Sequence, residues 1–206
     1  MASALVASAA GQTSLPPKST DPSSAASLPA SELTRVDVLG CWFGRERGRL
    51  LSDPKYVGAW IPVWFGGQRA AQQLEAFEPL ILRAGEGSLA GAGWNTDEGL
   101  LAQIILLDQM PRELWRRTPD AFRFDARARR LAERLLVNGL GCWETAEAMF
   151  VVLPLTHSEA PADHDRLRAV LAADAAERRE RGLPPHMEQD AAMAESHRVV
   201  VERFGR

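Results

Sequence analysis

From residue 31 onward, apolar positions recur at intervals of three and four, and no segment sustains residue-by-residue alternation. The pattern predicts helices and no sheet. Ser31 is a candidate N-cap for a helix that sets Leu33, Val36, Leu39, Trp42 and Phe43 on one face and stops at Gly44. Residues 45–67 hold six glycines and prolines around Trp60, Trp64 and Phe65, and read as a loop with aromatic anchors. Leu74, Phe77, Leu80, Ile81 and Leu89 suggest a second helix that frays across the glycine-rich residues 85–93. Thr96 then caps a buried helix over 97–110, with Asp97 and Glu98 in its first turn. Its near-continuous Leu and Ile also fit a strand; a run longer than ten residues without Val, Thr or aromatics decides for helix. Thr118-Pro119-Asp120 opens a helix carrying Phe124, Ala128, Leu131 and Leu135, which ends near Asn138-Gly139. Residues 144–153 form another, stopped by Pro154. Two more, 160–181 and 186–204, flank Gly182-Leu-Pro-Pro185. The expected fold is all-α, built of antiparallel helical hairpins, with no fixed-period repeat in the sequence.

Two of the apolar runs end in charge. Leu100–Leu107 runs into Asp108, Gln109 and Arg112, and Met149–Leu155 into His157, Ser158 and Glu159. Pro111 biases Met110 away from α conformation, so the buried helix is expected to end or kink there. Asp108 then faces the negative end of the helix dipole, a local misfit of the kind found at strained or functional sites. Arg112 offsets the misfit if the turn folds it back, which also describes a purely structural Asp–Arg clamp. Ser158 is an acceptable N-cap for the next helix and places Glu159 in its first turn. His157 has no such explanation, although a lone histidine often serves as a structural donor.

These residues define the candidate site. Arg112 and Gln109 would bind an anionic group, His157 would act as donor or general base, and Asp108 and Glu159 would orient them. A small anionic molecule is the expected ligand. The competing expectation is a helical-repeat interaction module that clamps a peptide, and a third is an ion-pair network with no ligand. His157, Glu159, Asp163 and His164 include metal-ligand types, but their spacing matches no closed-site signature, so neither metal nor cofactor is expected. The chain has no phosphate-binding loop, dinucleotide glycine fingerprint, serine-nucleophile elbow or zinc-protease motif.

Composition adds boundaries. A formal charge of −3 gives no reason to expect nucleic acid, and Arg123, Arg127, Arg130 and Arg134 read as a solvated helix face. The tryptophans are expected mainly in the core. Cys41 and Cys142 read as small buried hydrophobes in a reducing compartment, and no apolar run reaches membrane-span length. Residues 1–30, rich in Ala, Ser, Thr and Pro with only Lys18 and Asp21 charged, are expected to be a disordered tail, the alternative being an organelle leader. Residues 31–206 are expected to form one soluble, cytoplasmic domain, with the oligomeric state left open.

The order of motifs resembles one family. Trp42-Phe43-Gly44, Trp64-Phe65, Leu106-Leu-Asp-Gln-Met-Pro-Arg112, Thr118-Pro-Asp-Ala-Phe122 with Asp125, Leu153-Pro-Leu-Thr-His-Ser-Glu159, His197-Arg198 and Phe204-Gly-Arg206 are similar to "domain of unknown function 924". The resemblance spans about residues 36–206. It implies a tetratricopeptide-like, all-helical fold and no established activity. This chain departs from the family pattern at Glu113, where relatives carry Asn, at His164, where they carry Gln, and at Gly66-Gly-Gln68, where they carry an acid. Relatives also continue past Phe-Gly-Arg into a Pro-His-Arg-Asn segment, so a domain truncated at its C-terminus is one expectation.

Overall fold

A computed structural model describes residues 32–65, 71–186, 195–196, 198–201 and 203. No strand occurs among them. The helices are α1 (Arg35–Phe43), α2 (Pro54–Phe65), α3 (Glu78–Glu86), α4 (Asp97–Ile104), α5 (Met110–Leu114), α6 (Asp125–Leu136), α7 (Thr145–Thr156) and α8 (Pro161–Glu180). The described positions between 195 and 203 are helical too. The expected tail of residues 1–30, the Ser31 cap and residues 187–194 of the last predicted helix lie outside the described residues. No helix among the described residues is long and apolar enough to cross a membrane.

α4 is the central element. It packs against α1, α6 and α7, and Gly99 to Ile104 are all buried. Thr96 caps it as expected, its Oγ1 accepting from the Gly99 N–H at 3.1 Å. A Cβ on Gly99 would lie 2.2 Å from the Gly93 carbonyl oxygen, so only glycine lets the preceding turn sit flush on the helix. Gln103 holds that turn by donating to the Trp94 carbonyl at 2.8 Å. Against the other end of the core, Trp42, Phe43 and Trp64 converge edge-on upon Phe150, with ring centroids 5.7, 5.4 and 5.2 Å from it. Edge-to-face rings at this spacing add to the area they bury. Trp64 also donates its indole N–H to the Trp42 carbonyl at 2.9 Å.

Several boundaries differ from the sequence expectation. Thr34 caps α1, with the Asp37 carboxylate accepting from its N–H at 2.8 Å, and Val38 rather than the 55% exposed Val36 faces the core. Gly44 ends α1 with φ +88°, where a Cβ would meet the Tyr56 hydroxyl at 2.6 Å. The predicted loop over 45–67 contains α2. Asp53 Oδ1 accepts from the Lys55 and Tyr56 N–H groups at 2.8 and 3.2 Å, and Pro54 fills the first helical position. That start signal outweighs the glycines and Pro62 within the helix. Pro154 likewise does not stop α7, because every residue from Ala146 to Thr156 is buried and packing on α6 and α8 offsets the missing backbone bond. Cys142 is exposed and Cys41 partly so, contrary to the expectation of burial.

Candidate functional site

The buried helix does not end before Pro111. It passes through a π-helical turn, Ile105–Gln109, and continues as α5 to Leu114. The Met110 N–H reaches back five residues to the Ile105 carbonyl. Proline lacks an N–H and crowds the carbonyl four residues before it, so widening the turn accommodates Pro111 without breaking the helix. Such turns recur at functional sites. Here the turn rotates Asp108 fully inside and Gln109 nearly so. Asp108 therefore lies within a continuous helix rather than at its end.

Asp108 is the hub. Its carboxylate lies 2.9 and 3.0 Å from His157 Nδ1, accepts from Gln109 Nε2 at 2.5 Å, and stands 3.4 Å from Arg112 Nη2. Burial alone would raise the Asp108 pKa. His157, Arg112 and Gln109 outweigh burial and hold it below the ordinary carboxylate range. An ionised Asp108 accepts only, so Nδ1 of His157 carries the proton and donates.

Arg112 is committed within the protein. It forms a two-bond fork with Asp125, both bonds 2.9 Å, and donates to the Asp108 and Ala121 carbonyls at 2.8 and 3.3 Å. The Phe122 ring lies 5.2 Å from its guanidinium carbon. Burial would lower the Arg112 pKa, and the two carboxylates raise it; for Asp125 burial prevails over Arg112 and raises the value. The expected clamp thus exists, with Asp125 as its main acid. Glu113, the departure from the Asn of relatives, pairs with Arg116 at 2.6 Å.

His157 caps the end of α7, its N–H bonded to the Leu153 carbonyl at 2.9 Å. The following corner is braced. Ser158 Oγ donates to Asp163, which also receives Arg129 Nη1 at 2.8 and 3.1 Å, while His164 Nε2 donates to the Ser158 carbonyl at 2.7 Å. Ser158 does not cap α8; Ala160 precedes it and Pro161 is its first residue. Glu159 therefore stands before the helix, exposed, and outside the hydrogen-bonded cluster. The structure brings Asp108, Gln109, Arg112 and His157 together and leaves Glu159 at the edge.

Arg112, His157 and Glu159, but not the buried Asp108 and Gln109, border a cleft of about 790 Å³ between the start of α6, the end of α7, the 157–160 corner and Val200–Val201. That size suits a small molecule. His157 lines it with a side chain 20% exposed, and its Nε2 has no partner among the described residues. Arg123 and Arg129 line it as well. Spacing alone reads Arg123 as part of a solvated helix face and does not single out Arg129; only the fold shows that both line the same cleft as His157. It also missed a second buried pair, Asp174 with His186, 2.8 Å apart.

Residues 38–206 match a family model described as "Bacterial protein of unknown function (DUF924)". A solved structure of a protein of unknown function from Agrobacterium tumefaciens is similar, with 25% identity, 84% of each chain covered and a TM-score of 0.59. No curated protein matches the sequence.

Proposed function

The chain belongs to the bacterial family of unknown function DUF924, and within it we propose a protein whose cleft binds a small anionic molecule and exchanges a proton with it through His157. The observation that carries this reading is the partnering of the His157 ring. Asp108 holds the proton on Nδ1, which leaves the Nε2 lone pair of this cleft-lining residue as the base. Arg112 and Gln109 hold Asp108 in place. Arg112 has both terminal nitrogens engaged, so recognition of the anion passes to Arg123 at the cleft wall. Glu159 acts from the rim, as an orienting acid for the ligand rather than for His157. Proton exchange through His157 needs neither metal nor cofactor, and we assign the protein to the cytoplasm.

A second reading is a peptide-binding module of tetratricopeptide-like hairpins. The 60% exposed Phe122 and 47% exposed Val200 on the cleft wall favour it, since exposed apolar side chains suit a longer partner.

A thermal-shift screen of small carboxylates, phosphates and short peptides separates the two. A ligand at a hundredfold its dissociation constant stabilises the fold by about 2.7 kcal/mol. We expect hits among the small anions, lost in Arg123→Ala and weakened in His157→Ala. Hits confined to peptides, unaffected by His157→Ala, would overturn the small-ligand reading.

A further inference from the structure

The charges around the cleft do not all remain available. Arg112, Arg123, Asp125, Arg129 and Glu159 are the charged side chains lining it among the described residues. Arg112 is matched by Asp125, and Arg129 by Asp163 just outside the cleft. Arg123 and Glu159 are left. Neither has a hydrogen bond or ion pair through its side chain among the described residues, and Arg123 only lies over the Phe124 ring, 5.2 Å from its centroid. Among the described residues the cleft thus offers one uncommitted cation and one uncommitted anion, and Phe122, Pro154 and Val200 give it apolar lining.

A ligand complementary to that pattern carries one charge of each sign and a hydrocarbon body. We propose that the cleft takes a zwitterion, a free α-amino acid with an aliphatic side chain. Its carboxylate meets Arg123, its ammonium meets Glu159, and its side chain lies on the apolar wall. A peptide end is a poorer match, because it brings only one of the two charges. A simple anion leaves Glu159 as a like-charge neighbour with no counterpart, which lowers rather than raises its affinity. This inference rests on the small-ligand reading of the same cleft and sharpens it from "anion" to "amino acid".

Titration calorimetry on the full chain tests it with leucine and two analogues that each lack one charge, 4-methylpentanoate and isopentylamine. Leucine should bind, and each analogue should bind weaker by about tenfold or more, the worth of one charge-assisted hydrogen bond. Arg123→Gln should erase the preference for leucine over isopentylamine, and Glu159→Gln the preference over 4-methylpentanoate. Both side chains are exposed, so neither exchange threatens the fold. If 4-methylpentanoate binds as tightly as leucine and Glu159→Gln changes nothing, the zwitterion is wrong while the anion site survives. If alanine, valine, leucine, isoleucine and methionine all give no heat at millimolar concentration, the amino-acid class is wrong. The wider anion screen then decides the parent reading separately.

Discussion

Among the described residues, two aspartate–histidine pairs have nearly identical first contacts and different surroundings. Asp108 holds His157 Nδ1 at 2.9 Å, and Asp174 holds His186 Nδ1 at 2.8 Å. The difference lies at the other ring nitrogen. His186 Nε2 is enclosed, 2.9 Å from the Trp143 carbonyl and 2.7 Å from Arg178 Nη1, with its side chain 1% exposed. His157 is 20% exposed and lines the cleft, and its Nε2 has no partner among the described residues. The first arrangement ties the turn after α8 to the segment before α7. The second holds a base at the edge of solvent. A carboxylate behind an imidazole therefore says little about chemistry by itself; what the second nitrogen faces decides it.

The largest expected effect breaks this comparison through stability. Asp174→Ala removes one partner of an almost fully buried pair and should cost about 3–5 kcal/mol. In a chain of this size that lowers the melting temperature by on the order of 10 °C. His157→Ala leaves Asp108 still bonded to Gln109 and facing Arg112, so it should cost about 1 kcal/mol or less. Equal losses in the two variants, read by thermal and urea unfolding, would make both pairs structural.

A smaller effect concerns acid. Burial works against Asp108 ionisation, but His157, Arg112 and Gln109 more than compensate, so its folded pKa lies below its unfolded one. Its charge stabilises the fold at neutral pH, and that contribution is lost as pH falls below about 4 and through the folded pKa. Asp125 has the opposite sign. Burial outweighs Arg112 and raises its folded pKa, so its ionisation opposes folding and acid relieves the penalty. Wild type should therefore lose stability more steeply than Asp108→Asn between about pH 5 and pH 3, by on the order of 1 kcal/mol. Urea midpoints across that range measure it. Parallel acid limbs would mean that Asp108 is not held ionised by its partners.

The sequence exposed one of the two pairs because of contrast. Asp108 and His157 each follow a long apolar run, where a charged side chain has to be explained. Asp174 sits among the charges of α8, and His186 follows Gly182-Leu-Pro-Pro185, so neither stands out from a solvated background. The all-helical fold was legible for the same reason, since apolar spacing survives in α1, α4, α6 and α8. Proline misled where burial was deepest. At Pro111 the helix widened instead of ending, and at Pro154 buried packing carried it onward. α2 was hidden because glycine and proline counts weighed more than the single Asp53-Pro54 start signal. The long-range choice of Asp125 for Arg112 and Asp163 for Arg129 depends on how α6 is rotated, which spacing alone does not fix.

The smallest effect leaves stability untouched and reads the two nitrogens directly. Diethyl pyrocarbonate acylates an imidazole nitrogen that has a free lone pair and room for the reagent. In His157, Asp108 occupies Nδ1 and Nε2 has no partner among the described residues, whereas in His186 both nitrogens face protein groups at hydrogen-bonding distance. Mass spectrometry of briefly treated native protein should find His157 modified well before His186, and a cleft ligand should slow only the former. Modification of both at one rate would mean that the enclosure of His186 opens on the timescale of the reaction. The two pairs would then differ in average geometry but not in access, and His157 would lose its distinction as the base at the cleft.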